Sequence, residues 1–361
     1  MAGNSVAPAS HFYKMLYVTD QATSQKLLHM YSVPFYPMVM EQISSAFSAH
    51  CTNVSSGVIH FRVRWLLILV LLVLLWGDAN AQGDGPRVQL PAPTGINPVS
   101  ITWMGMDSNF NFAGSILIPD GGVDANIWAL NYNRFFGIKG RLAELWVTGI
   151  GGSVDGSVDL DGQGTFAARS SGLSDPYVAM KIGLIGAPAR DPTQFSPQAY
   201  DFSLYALAGV TLPWGDYDRS SVLNLGTNRW SLRLGLPMTM SFGDLGATWL
   251  EVHPNVYIFG DNDEPFRANR RSQDALYVVE SHLSQNFTPK LWASLDLRYQ
   301  YGGETTTDGI ADDNWMNQWG GGATLGYSFS RQWSGLLGYG KIFGGSDANG
   351  DMWRARLIFV F

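Results

Sequence analysis

Residues able to carry charge recur two positions apart in three segments of the chain. The pairs are Glu251 with His253, Glu280 with His282, and Asp296 with Arg298. Side chains two residues apart on a β-strand point to the same face, so each pair would project from one side of a sheet. Carboxylate, imidazole and guanidinium groups that meet in this way can bind ions, select a solute or neutralise one another. If the three segments are neighbouring strands, the pattern predicts one polar cluster.

Metal binding and catalysis are two specific alternatives for this cluster. Histidine and carboxylate side chains are zinc ligands, but the intervals between His253, His282, Glu251 and Glu280 match no metal-binding motif. Both histidines also lie within strands, whereas a membrane-embedded hydrolase needs a histidine beside serine or aspartate near the outer rim. The sequence therefore predicts no metal site, no cofactor and no enzymatic activity.

The segments around these pairs alternate strictly between apolar and polar residues. The longest alternation runs over 230–242, where one face carries seven apolar side chains: Trp230, Leu232, Leu234, Leu236, Met238, Met240 and Phe242. Strands of soluble sheets average about 5–6 residues, whereas a tilted strand that crosses a bilayer needs ~9–11. The alternation favours a membrane strand, and Pro237 within it predicts a bulge because proline lacks the ladder donor.

The last nine residues repeat this alternation and end on an aromatic residue. Trp353, Ala355, Leu357, Phe359 and Phe361 share one face, as in a strand with one face toward lipid and the other toward a polar lumen. An edge strand of a soluble sheet is the alternative for this segment alone. In a membrane barrel, Leu357, Phe359 and Phe361 would form the assembly signal read by the barrel-assembly machinery.

Twelve alternating segments are separated by turn-rich connections. They span 101–118, 126–137, 141–153, 173–186, 200–213, 229–242, 247–259, 273–286, 290–302, 315–329, 333–343 and 352–361. Short connections alternate with longer ones rich in Asp, Gly and Asn, and the longer 187–199 is the one exception. Short periplasmic turns alternating with long outer loops are typical of outer-membrane barrels. The sequence predicts an all-β, transmembrane antiparallel up-and-down β-barrel of about 12 strands over 101–361.

The N-terminal 100 residues divide into three parts. A twelve-residue apolar run, 65–76, follows two arginines and precedes Ala79 and Ala81, which predicts a signal peptide over 62–81 cut after Ala81; an anchor helix is the alternative. Residues 1–61 would then be an extension, either a start assigned too far upstream or a processed leader. Residues 82–100 are rich in Pro and Gly and predict an irregular periplasmic lead-in.

Composition limits the partners. Charged residues make up 15% of the chain and its formal net charge is −7, whereas soluble domains average about 25% charged residues. An acidic chain without a basic patch argues against nucleic acid. Cys51 is the only cysteine and precedes the predicted cleavage site, so no disulfide is expected in the barrel. The expected partners are outer-membrane lipid and lipopolysaccharide, the barrel-assembly machinery and a small-molecule solute.

Eight blocks of the barrel sequence carry a further signal: Leu130–Phe136, Gly172–Tyr177, Ile185–Pro188, Val210–Tyr217, Leu225–Trp230, Phe259–Glu264, Arg270–Tyr277 and Tyr301–Gly309. In this order they resemble one family of outer-membrane transporters, the family associated with the MetA pathway of phenol degradation. The resemblance covers most of 100–361 and none of 1–61. It implies a bacterial outer-membrane location and transport linked to aromatic-compound degradation, and it implies no catalytic residues.

Ten charged side chains are candidates to line the lumen: Lys181, Arg233, Glu251, His253, Glu280, His282, Asp296, Arg298, Arg354 and Arg356. Asp107, or acidic groups across the lumen, would pair with the last two. The ten residues would either line a permeation path or form a salt-bridge network that fills the interior. The first case predicts a channel for passive uptake of small hydrophobic or aromatic compounds. The second predicts a structural or surface-binding barrel with a plugged lumen.

Overall fold

The computed structural model describes residues 83–109, 116, 118, 121–160, 164–196, 200–243, 247–345 and 349–361. The predicted extension 1–61, the signal peptide 62–81 and its cleavage residues Ala79 and Ala81 lie outside the described residues. Among the described residues, no helix is long and apolar enough to cross a membrane.

Seventeen strands account for the regular structure of the described residues. They are β1 (Pro98–Ser108), β2 (Gly121–Ile138), β3 (Arg141–Leu160), β4 (Gly164–Leu173), β5 (Tyr177–Ile185), β6 (Phe202–Thr211), β7 (Ser231–Gly235), β8 (Met238–Phe242), β9 (Thr248–Phe259), β10 (Arg271–Gln273), β11 (Leu276–Asn286), β12 (Leu291–Gly302), β13 (Thr305–Thr307), β14 (Ile310–Ala311), β15 (Met316–Ser328), β16 (Trp333–Gly345) and β17 (Gly350–Val360).

The main sheet closes on itself. Each long strand pairs antiparallel with its neighbours in the chain, and β17 pairs with β1 from Pro98↔Val360 to Ser108↔Gly350. β7 and β8 are two halves of one strand, both placed between β6 and β9. β4 pairs only with β3, as an extension of the wall. The described strands therefore form a closed twelve-strand antiparallel barrel, which confirms the predicted fold class.

Burial in this barrel is the reverse of that in a soluble protein. Trp128 and Leu130 on β2 are more than half exposed, whereas the side chains of Lys181, Glu251 and His253 are almost completely buried. The apolar faces that the sequence predicted point outward, and the polar faces point into the barrel. An apolar exterior around a polar interior is the arrangement that lets a barrel sit in lipid.

Two boundary predictions were wrong. β1 begins at Pro98 and ends at Ser108, so it does not extend to residue 118. The predicted loop 154–172 is instead mostly a hairpin, because β3 continues to Leu160 and pairs with β4 up to Leu173. Alternation is weak in both places, so pairing with a neighbouring strand decides where each strand ends.

Pro237 does not produce a bulge. β6 pairs with β7 and β8 in one continuous register, from Leu207↔Gly235 to Leu204↔Met238, and β9 does the same on the other side. The proline only interrupts the strand, because the neighbouring residue Leu236 still donates to Pro254 O at 3.0 Å. Register shifts occur between Gly183 and Ile185 and between Trp319 and Gly320.

The short turns and long loops lie at opposite ends of the barrel. β2 and β3 are joined by Lys139 and Gly140, both with positive φ (48° and 75°), as a two-residue hairpin turn requires. The long connection between β5 and β6 lies at the same end. It contacts the chain ahead of β1, because Thr94 N donates to Arg190 O at 2.7 Å. At the opposite end, β10, β13 and β14 form a small separate sheet.

The C-terminal residue completes the seam between the first and last strands. Asn97 N donates to Phe361 O at 2.8 Å, and the Phe361 ring stacks on Phe359.

We expect deletion of Phe361 to lower the fraction of the protein that assembles into barrels several-fold, because it removes both the seam contact and the terminal aromatic residue. The measurement is the heat-modifiable fraction in isolated outer membranes. Phe329→Ala, an exposed aromatic residue at the same end, is the control, and an equal loss in both variants would contradict the seam argument.

Candidate functional site

Residues 83–89, called the lumen segment below, lie against inward-facing side chains of the barrel. Gly83 O accepts from Arg354 Nη2 at 2.7 Å, and Gln89 O accepts from Lys181 Nζ at 3.3 Å. This location differs from the periplasmic lead-in that the sequence predicted for 82–100. Pro and Gly content indicates irregular backbone but does not indicate which side of a barrel that backbone occupies.

Asp84 is the principal anchor of the lumen segment. Both of its carboxylate oxygens accept from Arg233 of β7, at 2.9 and 2.7 Å, and Gln89 Nε2 donates to the same carboxylate at 2.9 Å. The side chains of Arg233 and Asp84 are 5% and 16% exposed. A bidentate pair of this kind fixes geometry as well as neutralising charge.

Arg87 supplies the second anchor. Its backbone N–H donates to Glu251 Oε1 at 2.7 Å, its Nε donates to Ser284 Oγ at 3.1 Å, and its guanidinium lies 4.2 Å from the centre of the Trp292 ring. Gly83 lies so close to the wall that an added Cβ would fall within 2.1 Å of Glu280 Oε1. The absence of a side chain at Gly83 therefore allows the lumen segment to approach β11.

The six residues that opened the sequence argument meet on three adjacent strands. The ladders of β9, β11 and β12 place them opposite one another: Glu280 faces His253 and Arg298, and His282 faces Glu251 and Asp296. Arg298 Nη1 donates to Glu280 Oε1 at 2.9 Å, and His282 Nδ1 lies 2.8 Å from Asp296 Oδ1. All six are buried.

Lys181 lies on β5, apart from that cluster. Its Nζ is 2.7 Å from Glu144 Oε2 of β3, both side chains are 1% exposed, and it lies 4.9 Å from the centre of the Tyr205 ring. Glu144 was missed by the sequence analysis, as were Asp84 and Arg87. The alternation of β3 could have revealed Glu144, but the two residues of the lumen segment carry no periodic signal.

Arg354 and Arg356 face the lumen from β17 but do not pair with Asp107. Arg354 bonds Gly83 O, while Arg356 donates to Thr102 Oγ1 at 2.9 Å and to Asp84 O at 3.3 Å. Asp107 is exposed and belongs to the outward face of β1, opposite Asp351 and Asp124. The expectation of an Asp107 partner was therefore wrong, because Asp107 is odd-numbered on a strand whose inward residues are even-numbered.

Residues 212–230, called the lid loop below, cover the lumen at the long-loop end. Leu223 and Leu225 of this loop are buried against Met106, Ile127 and Met352, which face inward from β1, β2 and β17. Burying a leucine side chain contributes roughly 1.5–3 kcal/mol, so two of them favour a closed position of the loop.

One carboxylate holds both ends of the lid loop. Asp175, between β4 and β5, accepts from Gly215 N at 2.9 Å, from Thr227 N at 2.7 Å and from Thr227 Oγ1 at 2.6 Å. Asp216 adds a further tie, because Leu173 N donates to its carboxylate at 2.7 Å. These residues come from three of the sequence blocks that carry the family resemblance.

Three further blocks, 259–264, 270–277 and 301–309, contribute to the rim beside the lid loop. Asn262 Nδ2 donates to the Tyr217 hydroxyl at 2.9 Å, and that hydroxyl donates to Glu264 O at 2.8 Å. Burial raises the pKa of Tyr217 above its usual value. Backbone N–H groups of Asn269 and Arg270 donate to Asp308 and hold the pKa of its carboxyl below its usual value.

A cavity of about 350 Å³ lies in the lumen. Its apolar lining includes Met104, Met106, Ile127, Trp146, Ile150 and Met352, and its cationic lining comprises Arg233, Arg298, Arg354 and Arg356. Asp84 of the lumen segment and Thr227 of the lid loop also line it. The cavity therefore contacts both the lumen segment and the lid loop, and its lining combines apolar side chains with guanidinium groups.

A family model described as Putative MetA-pathway of phenol degradation matches residues 105–350. This match confirms the resemblance found in the sequence. None of the curated proteins compared with the chain matches it.

Three solved structures are similar to this chain to different degrees. An outer membrane channel from Pseudomonas putida F1 is similar with a TM-score of 0.64 and 19% identity, over 77% of this chain and 100% of that one. The transport unit of the autotransporter AIDA-I from Escherichia coli gives 0.43 and 10%, over 78% and 93%. The toluene transporter TbuX from Ralstonia pickettii gives 0.40 and 8%, over 79% and 95%. The first likeness shows a shared fold.

Replacing Asp175 by asparagine tests the hold on the lid loop. One of the two acceptor oxygens becomes an amide NH₂ that faces N–H donors, so we expect the closed loop to lose about 1–3 kcal/mol. Trypsin cleavage after Arg219, within the lid loop, should become about 10-fold faster in the folded barrel. Asp263→Asn, at a neighbouring exposed carboxylate, should leave the rate unchanged. Equal rates in the two variants would contradict the role of Asp175.

Proposed function

Because the chain belongs to the family of the putative MetA-pathway of phenol degradation, we propose that it is an outer-membrane channel for passive uptake of small hydrophobic or aromatic compounds. The observation that carries this proposal is the cavity of about 350 Å³ in contact with both the lid loop and the lumen segment. Ligand pockets start at roughly 300 Å³, so the cavity suits one small molecule rather than a continuous column of water.

The cavity lining suits an aromatic ring with a polar group. Trp146 and Ile127 supply apolar contact area, while Arg298 and Arg354 supply donors and cations. A guanidinium attracts the face of an aromatic ring and donates to a hydroxyl oxygen. A phenol-like molecule would use both parts of the lining at once.

Uptake requires the lid loop and the lumen segment to move in turn, and the contacts of both allow such movement. The bonds described for residues 83–89 join their backbone and side chains to side chains of the wall, so the lumen segment can leave without breaking a β-ladder. The lid loop rests on the two leucines and on Asp175. The lumen segment and the lid loop can therefore both move while the strand pairing of the barrel wall stays intact.

Other partners follow from the same surface. We assign outer-membrane lipid to the apolar exterior, lipopolysaccharide to the acidic outer loops, and the barrel-assembly machinery to the Leu357, Phe359 and Phe361 face. We assign no enzymatic activity, because the described contacts of His253 and His282 join them to the buried carboxylates of Glu251, Glu280 and Asp296 and to no serine hydroxyl.

A structural barrel with a plugged lumen is the second candidate function. The buried bidentate pair of Asp84 with Arg233 favours it, since such a pair can hold the lumen segment permanently. Uptake and conductance measurements separate the two candidates.

Replacing Ile127 by asparagine tests the apolar wall. Ile127 is 1% exposed and lines the cavity, so a polar side chain there should disfavour an apolar solute. We expect the initial rate of phenol or toluene uptake into whole cells to fall about 10-fold. Ile310→Asn, at a residue of β14 that is 73% exposed, is the control. Uptake by Ile127→Asn equal to that of the control would contradict the proposal.

Replacing Arg233 by glutamine tests the lumen segment. The change leaves Asp84 without its charge partner, and losing one member of a buried pair costs about 3–5 kcal/mol. We expect the segment to leave the lumen for part of the time, so that single-channel conductance in planar bilayers rises several-fold above the wild-type value. Arg219→Gln, on the exposed lid loop, is the control. The plugged barrel would be favoured by two results together. Neither the wild type nor Arg233→Gln would conduct ions in planar bilayers, and cells that lack the wild-type barrel would take up the solute at the normal rate.

A further inference from the structure

Four side chains on β9 and β11 form a compact patch in the lumen wall. Glu251 and His253 lie two residues apart on one strand, and Glu280 and His282 lie two residues apart on the other. The antiparallel register places Glu280 opposite His253 and His282 opposite Glu251. Each imidazole therefore has a carboxylate beside it on its own strand and another across the ladder.

The distances suit a small cation. His253 Nε2 lies 3.6 Å from Glu251 Oε2, and His282 Nε2 lies 3.8 Å from Glu280 Oε2. Potential ligand atoms of His253, Glu280 and His282 all lie within 4.8 Å of one another. A tetrahedral zinc site with bonds of ~2.0–2.1 Å separates its ligands by about 3.3 Å. Glu251 and His253 need to approach by a few tenths of an ångström, and atoms at the 4.8 Å limit need to approach by about 1.5 Å, which side-chain rotation can supply.

Four buried polar atoms of this patch have no hydrogen-bond partner. They are Glu251 Oε2, His253 Nδ1, His253 Nε2 and His282 Nε2, and their side chains are at most 1% exposed. Buried polar atoms normally have a partner, so several unpartnered atoms together indicate a missing one. A cation is a suitable partner, because one nitrogen of each imidazole and Glu251 Oε2 can each supply a lone pair to it.

The surroundings hold His282 in the orientation of a metal ligand. Its Nδ1 lies 2.8 Å from Asp296 Oδ1, and Asp296 is itself fixed by Ser294 Oγ at 2.9 Å and Thr324 Oγ1 at 2.7 Å. A carboxylate that receives Nδ1–H leaves Nε2 as the lone-pair atom, which is the usual support of a metal-bound histidine. Nε2 is the atom that faces Glu280.

We propose that His253, His282, Glu251 and Glu280 bind a divalent transition-metal ion, with Zn²⁺ as the first candidate. Imidazole nitrogen and carboxylate oxygen are both zinc ligands. Glu251 Oε1 accepts from Arg87 N, and Glu280 Oε1 accepts from Arg298. Glu251 Oε2 has no hydrogen-bond partner, whereas Glu280 Oε2 accepts from Asp84 N at 3.1 Å and would exchange that bond for the metal. This site is independent of the transported solute.

Calorimetry with Zn²⁺ tests the proposal on full-length barrel that carries no polyhistidine tag and has been stripped with a chelator. We expect one Zn²⁺ per chain, and a ligand-field band in the visible spectrum when Co²⁺ replaces it. His253→Gln and His282→Gln should each weaken Zn²⁺ binding at least 10-fold, and Asp296→Asn should weaken it by about 10–100-fold. Glu264→Gln, at an exposed rim carboxylate, should bind as the wild type does.

Folded wild-type barrel that binds no Zn²⁺ would overturn the site, as would folded histidine variants with unchanged affinity. Heat-modifiability on electrophoresis shows which variants fold. If a histidine variant does not fold, X-ray absorption of the zinc-loaded wild type decides the matter. Two imidazole ligands in that spectrum support the site, and a spectrum with oxygen ligands alone overturns it.

Discussion

Hydrocarbon offers no hydrogen-bond partner to a peptide group, and the rest of this structure depends on that constraint. A sheet can enter lipid only if its first and last strands pair, and here β1 and β17 do so along their whole length. Closure gives every wall residue one of two environments, lipid or lumen. A charge that faces lipid is costly, so Lys181, Glu251 and His282 are buried in the lumen while Trp128 is exposed. Outward-facing Asp107, Asp124 and Asp351 lie at the long-loop end of β1, β2 and β17.

An inward charge must in turn find a partner, and the wall alone does not supply enough of them. Arg233 on β7 and the two arginines of β17 bond the lumen segment, through the Asp84 carboxylate and through backbone oxygens. Glu251 and Glu280 accept its backbone N–H groups. The lumen segment and the inward-facing side chains of the wall thus satisfy each other's charges and hydrogen bonds. Barrel closure turns those charged side chains inward, and the lumen segment occupies the lumen because it pairs with them.

The fold could be predicted from the sequence because its main signal is local. Alternation over 230–242 and 353–361 reports a membrane strand without knowledge of its neighbours, and the parity of loop lengths sets the topology. The meeting of Glu251, His253, Glu280 and His282 required only that their two strands be adjacent. The partners Asp84 and Arg87 could not be found in this way, because irregular backbone has no period and its location depends on charges more than 140 residues away. Their contacts with Arg233 and Glu251 are visible only in three dimensions.

The family resemblance acquires a physical explanation from the same geometry. Its blocks at 172–177, 210–217 and 225–230 are separated by chain that differs in kind, yet Asp175, Gly215 and Thr227 meet within one set of hydrogen bonds. A barrel wall tolerates many apolar residues on its lipid face, since lipid selects only for hydrophobicity. A loop that folds back into the lumen needs an acceptor that can bind both of its ends, and the Asp175 carboxylate meets that need. The lumen segment and the lid loop are therefore held by different interactions. One ion pair and several hydrogen bonds hold the lumen segment, whereas apolar contacts and one carboxylate hold the lid loop. An apolar solute competes directly with Leu223 and Leu225 for contact with the wall at Ile127. The lid loop is therefore the segment that such a solute can displace by its own binding.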